Sequence, residues 1–181
     1  MDSFKLDSNG EKREVKTYGD LRKYARQDAA ELLKSHWGDS IPVDPVKISR
    51  RLGVSVFTAQ LGDDVYGQII GSSAGADIYI DEDQPHPRFR FTCAHELGHY
   101  VDRSINGNIL KPGMGYIDKR SEDDPYSPDE VYANEFAASL LMPEKDFKDA
   151  VECGVSDFDL AKNFEVSLSA VQWRKKRLGI S

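Results

Sequence analysis

Cysteine is scarce in this sequence, and long hydrophobic runs are absent. The two cysteines among its 181 residues, Cys93 and Cys153, lie far apart and lack the paired spacing of a disulfide framework or a cysteine-based zinc site. A reducing, cytoplasmic setting is therefore expected. The longest apolar stretches span only a few residues, and no hydrophobic region follows a basic start. Neither a transmembrane segment nor a secretion signal is predicted, and no membrane partner is expected.

Basic residues are fewer than acidic ones. The sequence has 24 Lys and Arg residues against 31 Asp and Glu, a net charge of -7, which excludes a chain whose whole surface is built for nucleic acid. Only the segment 174–177 is strongly basic. With 39% hydrophobic and 30% charged residues, the composition is that of a globular protein and excludes a fibrous or wholly disordered chain.

Capping signals and periodicity divide the chain into helices and short strands. Asp44 is the expected N-cap of a short helix, with Pro45 at its first position and Gly53 just past its end. Runs rich in β-branched and aromatic residues predict three strands, and their close spacing indicates an antiparallel meander. Further helices are predicted over 18–37, 87–103, 128–142, 144–152, 157–164 and 168–177, and the strands over 54–61, 65–70 and 76–81.

These elements predict an α+β fold. We expect a small antiparallel three-stranded sheet to pack against the helix over 87–103, which the helix over 128–142 crosses. The predicted organisation is a flexible N-terminal segment over 1–17, a main domain over 18–145 and a C-terminal helical segment over 146–181. The long polar connection 104–127 is a candidate lid, because loops of that length inside compact domains are usually functional or mobile.

The motif His95-Glu96-Leu97-Gly98-His99 lies inside the helix predicted over 87–103. Side chains four apart on a helix are roughly 5 to 6 Å from each other at Cβ, so His95 and His99 can bind one metal ion together. Glu96 projects about 100° round the helix from His95, beside such an ion rather than on it. That is the position of a general base.

The chemistry that this spacing favours is hydrolysis of an amide bond. Zinc held by three protein ligands keeps an open position and lowers the pKa of a coordinated water to roughly 7. Glu96 would accept the proton of the attacking water and pass it to the leaving amine, without a covalent enzyme intermediate. Spacing alone does not separate zinc from manganese.

Glu130 is the expected third metal ligand. On the next helix it lies on the side that borders the apolar core, with Asn134 one turn later as a possible hydrogen-bonding support, whereas Glu135 points away. The alternative is structural, because Ser127 and Glu130 also form the pattern of a capping box. Cys93, two residues before His95, is interpreted as a small buried residue.

These residues resemble the ImmA/IrrE family of metallo-endopeptidases, which are HExxH zinc peptidases similar to gluzincins. The resemblance rests mainly on the segments 90–99 and 130–143, and also on the Pro42-Val43-Asp44-Pro45 start of the second helix and on 52–54. Together these cover most of 20–145. In that family the glutamate that corresponds to Glu130 is the third metal ligand, followed four residues later by Asp or Asn.

The resemblance implies a protein substrate. Members are typically cytoplasmic proteins of bacteria or phages that cleave a helix-turn-helix transcriptional repressor. The sequence therefore predicts a zinc-dependent endopeptidase acting on such a repressor. The alternative is a regulatory binding protein, such as an anti-repressor, a toxin-antitoxin component or a DNA-contacting factor, with a structural metal and no cleavage.

The C-terminal segment has two interpretations. The stretch 159–177 resembles a helix-turn-helix, with Ser167 capping a second helix that ends in the basic residues 174–177. Glu165, however, stands at the turn where glycine is usual, and base reading normally uses the N-terminal part of the recognition helix. Packing or partner docking is therefore favoured over direct DNA contact. His86, Tyr100 and Tyr116 are candidates for stabilising the tetrahedral intermediate, and the sequence does not choose among them.

Overall fold

The structure is a computed structural model, and it describes residues 3–6, 12–62, 65–73, 75–105, 115–119 and 127–180. The predicted α+β class is confirmed. The strands are β1 (Ser3–Leu6), β2 (Lys12–Val15), β3 (Val54–Ala59), β4 (Val65–Ser72), β5 (Gly75–Asp81) and β6 (Gly115–Lys119). The helices are α1 (Tyr18–His36), α2 (Pro45–Arg51), α3 (His86–Ile105), α4 (Pro128–Leu141), α5 (Glu144–Glu152), α6 (Asp157–Phe164) and α7 (Leu168–Leu178).

The helix ends follow the local sequence signals. Asp44 caps α2 by accepting a hydrogen bond from the Lys47 N–H at 3.0 Å. Gly53, just past the end of α2, has a φ of 76°, a left-handed conformation that glycine adopts without a steric penalty. Ser127 caps α4 in the same way as Asp44 caps α2. These local signals fix where the helices begin and end.

The main sheet has the strand order β3-β5-β4-β6 and is mixed rather than antiparallel. β5 pairs with β4 antiparallel but with β3 parallel, so the predicted antiparallel meander is wrong for β3. The reason is burial. β5 carries Ala76, Ile78 and Ile80, all at most 1% exposed, and these side chains are best covered when the strand lies between two others.

Two segments contain strands that the sequence did not predict. The segment predicted as flexible contains an antiparallel hairpin of β1 and β2, and Val15 at its end is fully buried. Arg13 forms an ion pair with Asp28 of α1 at 2.7 Å, so this hairpin is fixed to the helix. In the connection predicted as a lid, β6 pairs with β4. The rest of that prediction, 106–114 and 120–126, lies outside the described residues.

The helix α3, which carries the motif 95–99, is central to the fold. Every residue from 92 to 99 is buried, because α3 lies between the sheet and α4. One hydrophobic cluster extends from the sheet through α3 and α4 to Phe147, Leu160 and Val171 of the C-terminal helices. Among the described helices, none has the length and apolar character needed to cross a membrane.

Candidate metal centre

Two imidazoles from one face of α3 lie side by side. His95 and His99 are 3% and 2% exposed, and their Nε2 atoms are 3.0 Å apart. The rings meet edge to face, with centroids 4.7 Å apart. The four-residue spacing on the helix therefore brings two nitrogen donors to one point in the interior, as the sequence predicts.

The Glu130 carboxylate faces the same point from α4. Its Oε1 lies 3.2 Å from His99 Nε2, and its Oε2 lies 3.4 Å from His95 Nε2. The backbone N–H of Glu130 donates to the Ser127 hydroxyl at 3.3 Å. Glu130 thus takes part in the helix cap through its backbone, while its side chain is turned toward the two histidines.

The spacing of these donor atoms fits one small divalent cation. Tetrahedral ligands at zinc–nitrogen and zinc–oxygen bond lengths of about 2.0 to 2.1 Å are separated from one another by about 3.3 Å. The three side chains come together at 3.0 to 3.4 Å. Within the described part of the chain they form a cluster suited to a metal ion, with one ligand atom from each within 4.8 Å of the others.

The electrostatics of the centre favour neutral imidazole. Burial lowers the pKa of His99 to about 4, against the opposing influence of the hydrogen bond to Glu130. His99 is therefore uncharged at neutral pH and offers a ring lone pair. A metal ion requires this form of histidine as a ligand.

Gly98 allows α3 and α4 to approach closely. A Cβ atom at this position would lie 3.1 Å from Phe136 Cδ1 and 3.2 Å from Ala133 Cα, both on α4. Real Cβ contacts are rarely so short, and Ala133 Cα is backbone that cannot turn away. The glycine inside the motif therefore sets the helix separation at which Glu130 reaches the histidines.

Glu96 is fully buried and lies against β4. A Cβ atom at Gly67 of β4 would lie 3.1 Å from Glu96 Oε1 and only 2.5 Å from Thr92 Cγ2. A register shift interrupts the β4 ladder between Val65 and Gly67. Sequence reasoning missed Gly67 and the role of Gly98, although a glycine inside a strand is a known signal of close backbone approach.

The remaining candidates have mixed outcomes. Asn134 is half-buried one turn after Glu130 and makes no side-chain hydrogen bond within the described residues, so its expected support of the ligands is not observed. His86 is exposed at the start of α3, and Tyr100 is half-buried. The side chain of Tyr116 lies outside the described residues. Cys93 is fully buried, as predicted.

Two of the basic residues in the segment 174–177 have partners within the fold. Arg174 is fully buried, donates to the Met142 carbonyl at 3.1 Å and lies 3.8 Å from the Glu135 carboxylate. Lys175 pairs with Asp157 of α6. Two of the four basic residues at 174–177 are thus used in packing α7 against the rest of the fold.

The turn before α7 is attached to the motif helix. Arg90, near the start of α3, pairs with the Glu165 carboxylate at 3.1 Å and donates to the Glu165 carbonyl at the same distance. Glu165 has a φ of 52°, in the left-handed region where a helix-turn-helix usually has glycine. The helix-turn-helix-like segment is therefore joined to α3 through a buried arginine.

Comparison with known proteins identifies this arrangement. No curated protein matches the chain. A solved structure described as a Mycobacterium tuberculosis transcriptional regulator has a similar fold, with a TM-score of 0.58 at 14% identity, over 85% of this chain and 49% of that one. The chain thus spans about half the length of that protein, and the likeness shows the fold alone. The family model described as the IrrE N-terminal-like domain of peptidase family M78 matches residues 49–176, so the chain belongs to the ImmA/IrrE family of metallopeptidases.

Proposed function

We propose that this protein is a zinc-dependent endopeptidase that hydrolyses a peptide bond in a partner protein, with His95, His99 and Glu130 as metal ligands and Glu96 as the catalytic base. The convergence of two buried, facing imidazoles and one carboxylate carries the proposal. Family membership supports the metallopeptidase class. Manganese is the other ion that the donor set accepts.

Glu96 is suited to proton transfer. It is adjacent to His95 in the chain, is fully buried, and projects from α3 to the side of the ligand pair. A metal ion held by His95, His99 and Glu130 would supply Lewis-acid polarisation of the scissile carbonyl and would acidify a water molecule. Glu96 takes the proton of the attacking water at a carboxylate oxygen and returns it to the amine that leaves. Burial strengthens these charge interactions because solvent screening is weak there.

The substrate is a helix-turn-helix transcriptional repressor. The resemblance to the ImmA/IrrE family implies this class, and the structural neighbour, a transcriptional regulator, is compatible with a role in gene control. A substrate of this kind works on DNA, so the reaction takes place in the cytoplasm. Cleavage of the repressor would relieve repression.

A second candidate function is regulatory binding without cleavage. The observation in its favour is how little of the centre is open: Glu96 is fully buried, and the Glu130 side chain is 14% exposed. In addition, β6 covers one edge of β4, the strand beside Glu96. In this alternative the ion has a structural role, and the protein acts by binding its partner.

Substitution of Glu96 by Gln separates the two functions. Zinc-loaded protein is incubated with candidate helix-turn-helix repressors from the same genome, and products are identified by mass spectrometry. We expect Glu96→Gln to slow cleavage about 10²- to 10⁴-fold, the usual contribution of a general base, while metal content stays unchanged.

Glu152→Gln, an exposed residue of α5, serves as the matched control and retains full activity. Cleavage that survives Glu96→Gln would contradict the assigned role. Relief of repression in cells by Glu96→Gln would favour the binding protein.

A further inference from the structure

A groove of about 640 Å³ begins beside the metal centre and extends to the C-terminal helices. Its walls come from the start of α3, from α4, from one face along α7 and from Arg22 of α1. The volume lies within the roughly 300 to 1,000 Å³ of pockets that enclose drug-sized ligands, so it accommodates a short stretch of peptide. Neither the three proposed metal ligands nor the proposed base lines this groove.

The groove is contiguous with the metal ligands on two helices. Phe91 lines it one helical turn before His95, and the two rings have centroids 6.3 Å apart. Val131 also lines it and directly follows Glu130 in α4. A polypeptide bound with its scissile bond at the metal centre therefore has this groove directly next to it.

Three arginines give the groove a positive charge. Arg22, Arg88 and Arg177 line it, and none of them pairs with a carboxylate of the described residues. Arg88 lies over the Tyr66 ring at 4.5 Å and Arg177 over the Trp173 ring at 4.9 Å, contacts that orient the guanidinium groups without neutralising them. In a chain with a net charge of -7, this is a local concentration of positive charge.

The other parts of the wall are apolar or already neutralised. Val131 and Met142 contribute buried apolar surface, and Phe91 and Trp173 contribute half-buried rings. The acidic residue of the wall, Glu135, has its charge balanced by Arg26 at 2.9 Å and Arg174 at 3.8 Å. The free charge of the groove is therefore positive, next to apolar surface.

We propose that this groove binds a segment of the substrate in which acidic and apolar residues alternate or adjoin, on one side of the scissile bond. The inference rests on the proposed function for the position of that bond. Carboxylates of the segment pair with Arg22, Arg88 and Arg177, and its apolar side chains cover Phe91 and Trp173. A nucleic-acid backbone is also anionic, but the apolar walls and the adjoining metal centre favour a peptide.

The binding experiment uses zinc-loaded Glu96→Gln protein, so that peptides are not consumed. Fluorescein-labelled degenerate peptides of Asp, Glu, Leu and Phe are compared by anisotropy with pools in which Asn and Gln replace the acids. We expect the acidic pool to bind about tenfold more tightly at low salt, and a further Arg22→Gln, Arg88→Gln and Arg177→Gln change to remove that preference. Duplex DNA is added as a competitor.

A matched control removes three exposed cations outside the groove by Lys34→Gln, Arg50→Gln and Lys162→Gln, and the preference should survive. Single arginine variants, checked for folding by circular dichroism, replace the triple variant if it does not fold. Equal binding of the two pools, or a preference that outlasts the arginine changes, would overturn the proposal. Displacement of the acidic pool by DNA would instead assign the groove to nucleic acid. Selective binding with no cleavage by wild-type protein would refute the peptidase and leave the groove assignment intact.

Discussion

α4 carries two glutamates, Glu130 in its first turn and Glu135 near its middle, and the partners of the two carboxylates differ. Near the N-terminal end, Glu130 faces the imidazoles of His95 and His99 at 3.2 to 3.4 Å. Near the middle of the helix, Glu135 faces Arg26 at 2.9 Å and Arg174 at 3.8 Å. Both carboxylates occur in one helical stretch, yet their surroundings suit opposite tasks.

The difference lies in where positive charge comes from. A buried carboxylate is costly unless a positive charge or hydrogen-bond donors compensate it. Around Glu135 the guanidinium groups are fixed parts of the chain, so that carboxylate is balanced without an ion from solution. Around Glu130 the rings are acceptors once deprotonated, and burial keeps His99 neutral at pH 7, so the site is suited to a cation from solution.

Glu130→Gln gives the largest expected effect in this comparison. The amide keeps the shape of the side chain but removes the anionic donor. We expect zinc affinity, measured by competition with a chromophoric chelator, to fall by more than about 100-fold, beyond the loss typical of residues that only support ligands. The Ser127 cap involves the backbone of residue 130, so thermal stability of the metal-free protein should change little. Unchanged zinc affinity would remove Glu130 from the ligand set.

Glu135→Gln should have the reverse outcome. The substitution leaves Arg174, fully buried, without its carboxylate partner, which should lower the free energy of unfolding by about 3 kcal/mol. Urea denaturation of the metal-free protein measures this loss. Zinc affinity under native conditions should be unchanged, since Glu135 faces the arginines. Loss of zinc with no loss of stability would show that the metal-binding and structural roles belong to the opposite glutamates.

Gly98→Ala tests whether the close packing of α3 against α4 is needed for Glu130 to reach the two histidines. Alanine is favoured over glycine inside a helix by about 1 kcal/mol, so a merely local effect would be stabilising. The contact of the new Cβ atom with Phe136 and Ala133 should outweigh this gain, separate α3 from α4 and weaken zinc binding by about tenfold.

A second substitution checks that mechanism. Phe136→Leu removes the ring whose Cδ1 atom would lie 3.1 Å from the new methyl group, and it should restore part of the zinc affinity when combined with Gly98→Ala. Coupling between the two changes, measured as a double-mutant cycle, is the expected sign of contact. Additive effects would indicate that contact with the Phe136 ring is not what separates the helices.

The sequence predicts most of what depends on neighbours in the chain. The helices begin and end within a few residues of their predicted bounds because caps such as Asp44 and Ser127 act over three or four residues. Strand order was predicted wrongly because the parallel pairing of β3 with β5 depends on which strand has the most apolar surface to bury. The short distances between the strands along the chain do not indicate which strand will be the most buried.

For the site too, local features were predicted and features that depend on distant residues were not. Helical periodicity was sufficient to select Glu130 over Glu135 as the residue near the motif. It did not predict that Glu135 would be buried with Arg174, because a basic cluster at a helix end reads as solvated surface and its partner comes from a distant helix. The groove beside the centre also required the fold, since α3, α4 and α7 meet there only in three dimensions.

The smallest expected effect is a difference in thiol reactivity, which reports how tightly α3 is enclosed without altering either glutamate. Cys93 of α3 is fully buried near Ser49, and burial raises the pKa of its thiol to about 12, whereas Cys153 at the end of α5 is exposed. Because the thiolate is the reactive form, Ellman's reagent at pH 8 should modify one thiol in the native protein, and Cys153→Ser should abolish that signal. Cys93→Ser, the matched control, should leave it unchanged.

If chelation of the metal makes Cys93 reactive while Cys153 keeps its rate, the ion stabilises the packing of α3. If Cys93 reacts as fast as Cys153 in the metal-loaded protein, α3 is not enclosed between the sheet and α4.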